Sequence, residues 1–210
     1  VRNAIKTYEL YPTLNPFSIE DMLKAHLTMM SGLVDEAGMF RRRGVGVFDG
    51  STAVHVAPPA ERVNDLMNDL FIWLENSEDH LLIRSCVFHY EFEFIHPFAD
   101  GNGRIGRLWQ SLILGKLNPL FEHLPVENMV CANQQTYYDA ITQSSALGNS
   151  QPFIDFMLQE ILNALEDHKG QTVDEIGEAN SLSENEIKIL GLIRSDRHMS
   201  AKRLAEEIGA

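Results

Sequence analysis

The stretch His80 to Leu117, HLLIRSCVFHYEFEFIHPFADGNGRIGRLWQSLILGKL, decides the fold. Its first part, His80 to Ile95, is apolar nearly all round, as a helix buried among others must be. The end of that part, EFEFI, also alternates like a strand. An apolar run of about 15 residues exceeds the usual strand length of about 4 to 8, so helix is predicted throughout. Gly103 to Leu117 reads as a second buried helix, and a loop rich in Pro, Gly, Asp and Asn separates the two. Two core helices around a polar loop predict an all-α bundle.

Working outward, residues 18 to 33 place Ile19, Met22, Leu23, His26, Leu27 and Met30 at helical spacing behind Ser18, a residue suited to capping. In FRRRGVGVFDGSTAVHVAPP, β-branched and aromatic residues flank Asp49-Gly50, a dipeptide that favours a tight hairpin turn. A small β-hairpin is expected at about residues 45 to 56. Pro58-Pro59 closes it, and Glu61 to Leu74 returns to helical periodicity. Helices are also predicted for Asn133 to Leu147 and Gln151 to Leu165. The acidic, polar segment 166–180 reads as a linker. Residues 181–210 resemble the first two helices of a winged-helix or helix-turn-helix module, without the recognition helix that would enter a DNA groove. The main domain is therefore assigned to residues 1–165.

Seventeen basic against thirty acidic side chains give a formal charge of -13, which disfavours bulk attraction to DNA or to an anionic membrane. Any anion site must be local. Cys86 and Cys131 read as reduced cysteines rather than a disulfide framework. No apolar run reaches about 18 residues, and the start Val1-Arg2-Asn3-Ala4 resembles neither a signal peptide nor an initiating methionine. A cytoplasmic protein cut at its N-terminus is expected.

The loop from His96 to Arg107, HPFADGNGRIGR, holds a titratable base, a carboxylate, three glycines and two arginines. Glycines let backbone N–H groups approach an anion, and a loop that runs into a helix N-terminus offers unpaired donors and the positive end of the dipole. Phosphate is the natural occupant. Arg104 and Arg107 share a helix face from which forked guanidiniums can grip phosphate oxygens. Asp100 can hold Mg²⁺ on those phosphates. His96, at the end of the preceding helix, is suited to act as general base. Phe98 is assigned to anchoring the loop and Pro97 to shaping it, while His26, His89 and Tyr90 read as core residues.

Gly101-x-Gly103-x-x-Gly106 also satisfies the dinucleotide-binding pattern, but that pattern needs a strand before the glycines and βαβ alternation after them. The Walker pattern fails for want of G-K-[ST], and the eight histidines include no H-E-x-x-H zinc pair.

HPFADGNGRIGR resembles the Fic-family signature, H-P-F-x-[DE]-G-N-G-R-x-x-R, at every fixed position. The resemblance extends over roughly residues 1–165, through the preceding helix, the upstream hairpin and the segment Asn133 to Tyr138. It implies a Fic-type helical bundle and an Mg²⁺- or Mn²⁺-dependent protein adenylyltransferase with ATP as substrate. It gives His96 the deprotonation of the acceptor hydroxyl and Asp100 the metal. Gly101, Asn102 and Gly103 then form the anion hole, and Arg104 and Arg107 hold the distal phosphates. Val47, Phe48, Asp49, Gly50 and Val54 match the flap that aligns a target segment. Tyr137 and Tyr138 match a segment bordering the adenine pocket. The implied partner is a target protein, with self-modification and a homodimer left open.

Many family members of this layout carry an inhibitory helix, [ST]-x-x-x-E-[GN], whose glutamate pairs with the second motif arginine, here Arg107. No match occurs in this chain, and VRNAIKTYEL resembles the helix that follows such a motif, so an inhibitor upstream of Val1 is expected. Two alternatives stay beside AMP transfer. One keeps the fold but uses another nucleotide or phosphoryl donor, or removes AMP. The other is a transcription-linked, nucleotide-sensing binding protein.

Overall fold

The computed structural model describes residues 2–49, 52–124 and 126–169, so the segment expected to resemble a helix-turn-helix module lies outside the described residues. Eight α-helices are described: α1 (Arg2–Glu9), α2 (Ile19–Met30), α3 (Val63–Asn76), α4 (Leu81–Ile95), α5 (Asn102–Leu117), α6 (Val126–Ala132), α7 (Gln134–Leu147) and α8 (Gln151–Lys169). Two short strands, β1 (Gly46–Asp49) and β2 (Thr52–Val56), pair antiparallel between α2 and α3. Their register shifts between Val47 and Phe48, which makes Val54 the extra residue of a bulge.

The described residues divide into two compact units, one of residues up to 77 with 88–112 and the other of residues 78–87 with those from 113 onward. In the first, α2 starts where Ser18 accepts a hydrogen bond from the Asp21 backbone N–H, and Glu20 and Asp21 complement the helix dipole. Its buried face comprises Met22, Ala25, His26, Met29 and Met30. Leu27, expected inside from its spacing, is 52% exposed, while Gly38 passes so close that a Cβ there would stand 2.8 Å from the Leu27 Cβ. Phe71 meets Phe88 edge-on at 5.4 Å and Trp109 at 6.4 Å, while Phe92 packs on Phe88 and Phe98. Trp109 is fully buried and its indole N–H donates to the Pro16 carbonyl. EFEFI is helical to Ile95, so length prevails over local alternation.

In the second unit, α7 ends at Gly148 in the left-handed conformation, with φ of 65°, and α8 follows at once. Ser144 accepts a hydrogen bond from the Phe153 backbone N–H, and Asn133 donates to Glu160 across α7 and α8. α8 continues to Lys169, four residues past the end expected from periodicity, because EDHK forms helix as readily as it forms a linker.

Candidate active site

The motif residues gather in the first unit, where α4 ends, a six-residue turn follows and α5 begins. His96 stands one position past α4. Its backbone N–H still donates to the Phe92 carbonyl, yet its φ of 50° is left-handed, the one positive φ outside glycine among the described residues. A helix commonly closes this way, but at a side chain with a Cβ the conformation costs about 1–2 kcal/mol. Surroundings must hold it. The His96 ring is 19% exposed, and its Nδ1 lies 3.8 Å from Glu93 Oε2. Nε2 is thereby the ring nitrogen on the opposite side.

Three buried groups fix the loop. Asn102 accepts from the Phe98 N–H at 2.8 Å and donates back to the Phe98 carbonyl at 2.9 Å. Its side chain is thus buried and held by the loop. Phe98 is fully buried and stacks on His26 at 3.7 Å, as anchoring requires. His26 Nδ1 accepts from the Gly38 N–H, so Nε2 carries the hydrogen and donates to the Asp100 carbonyl. The histidine assigned to the core therefore also holds the backbone of Asp100, and its burial lowers its pKa below the usual histidine value.

The glycines meet different demands. Gly101 has φ of 87°, and a Cβ there would stand 2.8 Å from Met30 Sδ. At Gly103 a Cβ would stand 2.9 Å from Arg107 Nη1, so its absence makes room for the guanidinium folding back along α5. A Cβ on Gly106 would meet Glu93 Oε1 at 2.8 Å, which marks the close crossing of α4 and α5. The first N–H groups of α5 lack intrahelical acceptors and carry the positive end of its dipole.

Asp100 accepts from the Gly101 N–H at 2.6 Å, and Arg104 lies 3.5 Å from the same carboxylate oxygen. Both side chains are well exposed, so separating them for a ligand costs little. This donor set suits Mg²⁺, which commonly takes one or two carboxylates and completes its shell with phosphate oxygens and water. Among the described residues no group of three or more His, Cys, Asp or Glu could hold an ion by itself.

Two residues went unmarked in the sequence. Glu93 sits between two histidines, with Oε1 4.0 Å from His89 Nε2 and Oε2 facing His96. Burial pushes its carboxyl up to about 7, against the pull of Arg107. Its signal was a pair of glutamates, Glu91 and Glu93, in a helix that is apolar nearly all round. Arg41 is 2% exposed, whereas its neighbours Arg42 and Arg43 are exposed, and a run of three arginines does not tell them apart. The remaining expected residues are placed elsewhere. Val47, Phe48, Asp49 and Val54 lie on the two-stranded ladder, and Gly50 is outside the described residues. Tyr137 and Tyr138 lie in the second unit, where Tyr137 is buried against Phe153 and Phe156 and Tyr138 is 41% exposed.

Residues 16–114 match the family model described as Fic/DOC family. The chain is 30% identical over 144 residues to "Protein adenylyltransferase Fic" of Nematostella vectensis, an alignment covering 67% of this chain and 31% of that protein. It is 30% identical over 192 residues to "Protein adenylyltransferase fic-1" of Caenorhabditis briggsae, covering 85% of this chain and 35% of that one. The chain spans about a third of the length of these curated relatives. A crystal structure of a Fic family protein from Desulfovibrio desulfuricans G20 superposes with a TM-score of 0.78 at 42% identity, covering 99% of this chain and 62% of that one. With the motif loop, its buried anchors and these likenesses together, the chain belongs to the Fic/DOC family.

Proposed function

We propose that this chain is a protein adenylyltransferase that moves AMP from ATP onto a serine, threonine or tyrosine hydroxyl of a target protein and releases pyrophosphate. The observation that carries this reading is the placement of His96, on a conformationally fixed turn, beside a glycine loop that opens a helix flanked by Arg104 and Arg107. A base and a phosphate cradle lie within one turn of chain.

In the proposed reaction His96 takes the proton of the acceptor hydroxyl through Nε2, with Nδ1 held toward Glu93. The hydroxyl oxygen bonds to the α-phosphorus, the bond from that phosphorus to the α–β bridging oxygen breaks, and pyrophosphate departs with the electron pair. Backbone N–H groups at the start of α5 face the oxygens on which charge builds, and Arg104 and Arg107 hold the β- and γ-phosphates. Mg²⁺, held by Asp100 and phosphate oxygens, would supply charge neutralisation of the leaving group. The β1–β2 ladder serves as the flap, offering strand-like backbone bonds that align a target segment.

The test incubates the protein with ATP labelled at the α or the γ phosphate. Transfer of the α label with no γ label is expected, and His96→Ala should abolish it while ATP binding persists. Transfer of the γ label alone would replace this reading with phosphorylation, and undiminished labelling by His96→Ala would remove the base from its role.

A further inference from the structure

We infer that Arg41 is a positioning residue that ties both ends of the β1–β2 ladder to the turn bearing His96, so that one guanidinium sets the place of the base and of the docking strands together. The inference rests on the adenylyl-transfer reading for its catalytic meaning.

Arg41 Nε donates to the His96 carbonyl at 2.8 Å, and Nη2 donates to the carbonyls of Pro58 at 2.6 Å and Ile95 at 3.2 Å. Nη1 donates to the Arg43 carbonyl at 2.9 Å, and the Arg41 backbone N–H donates to the Pro97 carbonyl at 2.8 Å. The peptides on both sides of His96 are therefore held by one residue. Arg43 lies three residues before β1 begins, and Pro58 lies two after β2 ends, so the same fork also grips the two roots of the ladder.

Stability alone is a poor reason for this arrangement. Among the described residues no carboxylate pairs with Arg41, and its burial removes a full charge from water. Carbonyl oxygens compensate, two of them at the negative end of α4, but an apolar side chain with a separate helix cap would cost less. What a planar five-donor fork adds is geometry: it fixes several carbonyls in one plane at once, which an ammonium on a flexible stem does not do. The residue so fixed is the one non-glycine with a positive φ among the described residues, a conformation that persists only where the surroundings over-determine it.

Arg41→Lys keeps the charge and loses the fork, and it leaves Arg104, Arg107 and the start of α5 untouched. With the wild-type protein and His96→Ala as references, kcat for AMP transfer should fall roughly 10- to 100-fold, as expected for a reacting group displaced by about 1 Å, while Kd for ATP holds. Amide hydrogen exchange should quicken jointly in the ladder, 46–49 and 52–56, and in the turn, at His96 and Phe98, and stay unchanged in α3. Wild-type kcat in Arg41→Lys, or faster exchange in the ladder alone or in the turn alone, would overturn the inference. If the wild-type protein itself transfers no AMP, the functional reading fails, and the exchange data alone decide whether Arg41 couples turn and ladder. Should Arg41→Lys not fold, Arg41→Gln carries the same measurements.

Discussion

At the scale of single residues, the motif positions divide by what their atoms are already committed to. His96, Arg104 and Arg107 keep partly exposed side chains, His96 turned toward Glu93 and Arg104 toward Asp100, whereas the Asn102 side chain and Phe98 are buried in the protein's own loop. That division predicts how Asn102→Ala behaves. Truncation strands the buried N–H and carbonyl of Phe98, and an unsatisfied buried polar group costs about 1–3 kcal/mol. The variant without nucleotide should therefore lose about 2 kcal/mol or more of stability in urea denaturation. Unchanged stability would mean that Asn102 serves the ligand alone. The identity of the motif residues was readable from their types and order, since few packing needs place His, Asp, three glycines and two arginines in twelve positions. Their commitments were not. That Asn102 clamps Phe98, or that His26 donates to the Asp100 carbonyl across 74 positions of sequence, depends on which chain segments meet.

Elements show the same boundary between what is local and what is tertiary. The helical periods of α2, α3, α4, α5 and α7 fell within a few residues of their observed ends because each carries a long apolar run or stripe of its own, and for α2 the cap at Ser18 marks the start as well. The length of α8 and the short α6 escaped notice, since polar residues extend the first and neither periodicity nor caps mark the second. The crossing of α4 and α5 was legible only as a glycine without a stated purpose. Gly106 now has one, because a Cβ there would press on Glu93 Oε1 at 2.8 Å and on the fully buried Phe92 ring at 3.2 Å. Two effects oppose each other in Gly106→Ala. Alanine gains about 1 kcal/mol of helix propensity over glycine, while overpacking a filled core costs about 1–3 kcal/mol. The second should win, with a net loss of up to about 2 kcal/mol and a lower melting temperature. A rise in stability equal to the propensity term would show that the helices part freely at this crossing.

For the whole molecule, a formal charge of -13 sets a background that repels anions, so a phosphate site depends on local cations and dipoles, here Arg104, Arg107 and the start of α5. The same balance of global and local charge governs stability against pH. Burial depresses His89 from 6.5 to about 4 and lifts Glu93 from 4.5 to about 7, and the two side chains lie 4.0 Å apart. His89 Nδ1 bonds to Gln110 Oε1, an atom that only accepts, so the hydrogen is on Nδ1 and the bare Nε2 faces Glu93. At about pH 5.5 the folded pair carries one proton, on Glu93, and the unfolded pair also carries one, on His89. Equal proton counts mean that the pair imposes almost no slope on stability in that range. Each member alone imposes a steep one. For His89 the unfolded chain binds more protons between about pH 4 and 6.5, so stability falls as pH falls. For Glu93 the folded chain binds more protons between about pH 4.5 and 7, so stability falls as pH rises. Relative to wild type, Glu93→Gln should gain stability as pH rises from about 4 to 6.5, and His89→Gln should lose it from about 4.5 to 7, each by up to about 3 kcal/mol. His26, whose pKa is also lowered by burial, adds the same acid-side loss to all three proteins and cancels from the comparison. Urea midpoints followed by tryptophan fluorescence report on the right unit, since Trp73 and Trp109 both belong to the one that holds the pair. Slopes of opposite sign in the two variants, each taken as a difference from the wild type, are the expected result. Three parallel profiles would show that His89 and Glu93 do not exchange their burden on folding, and the neutral pair assigned beneath His96 would have to be abandoned.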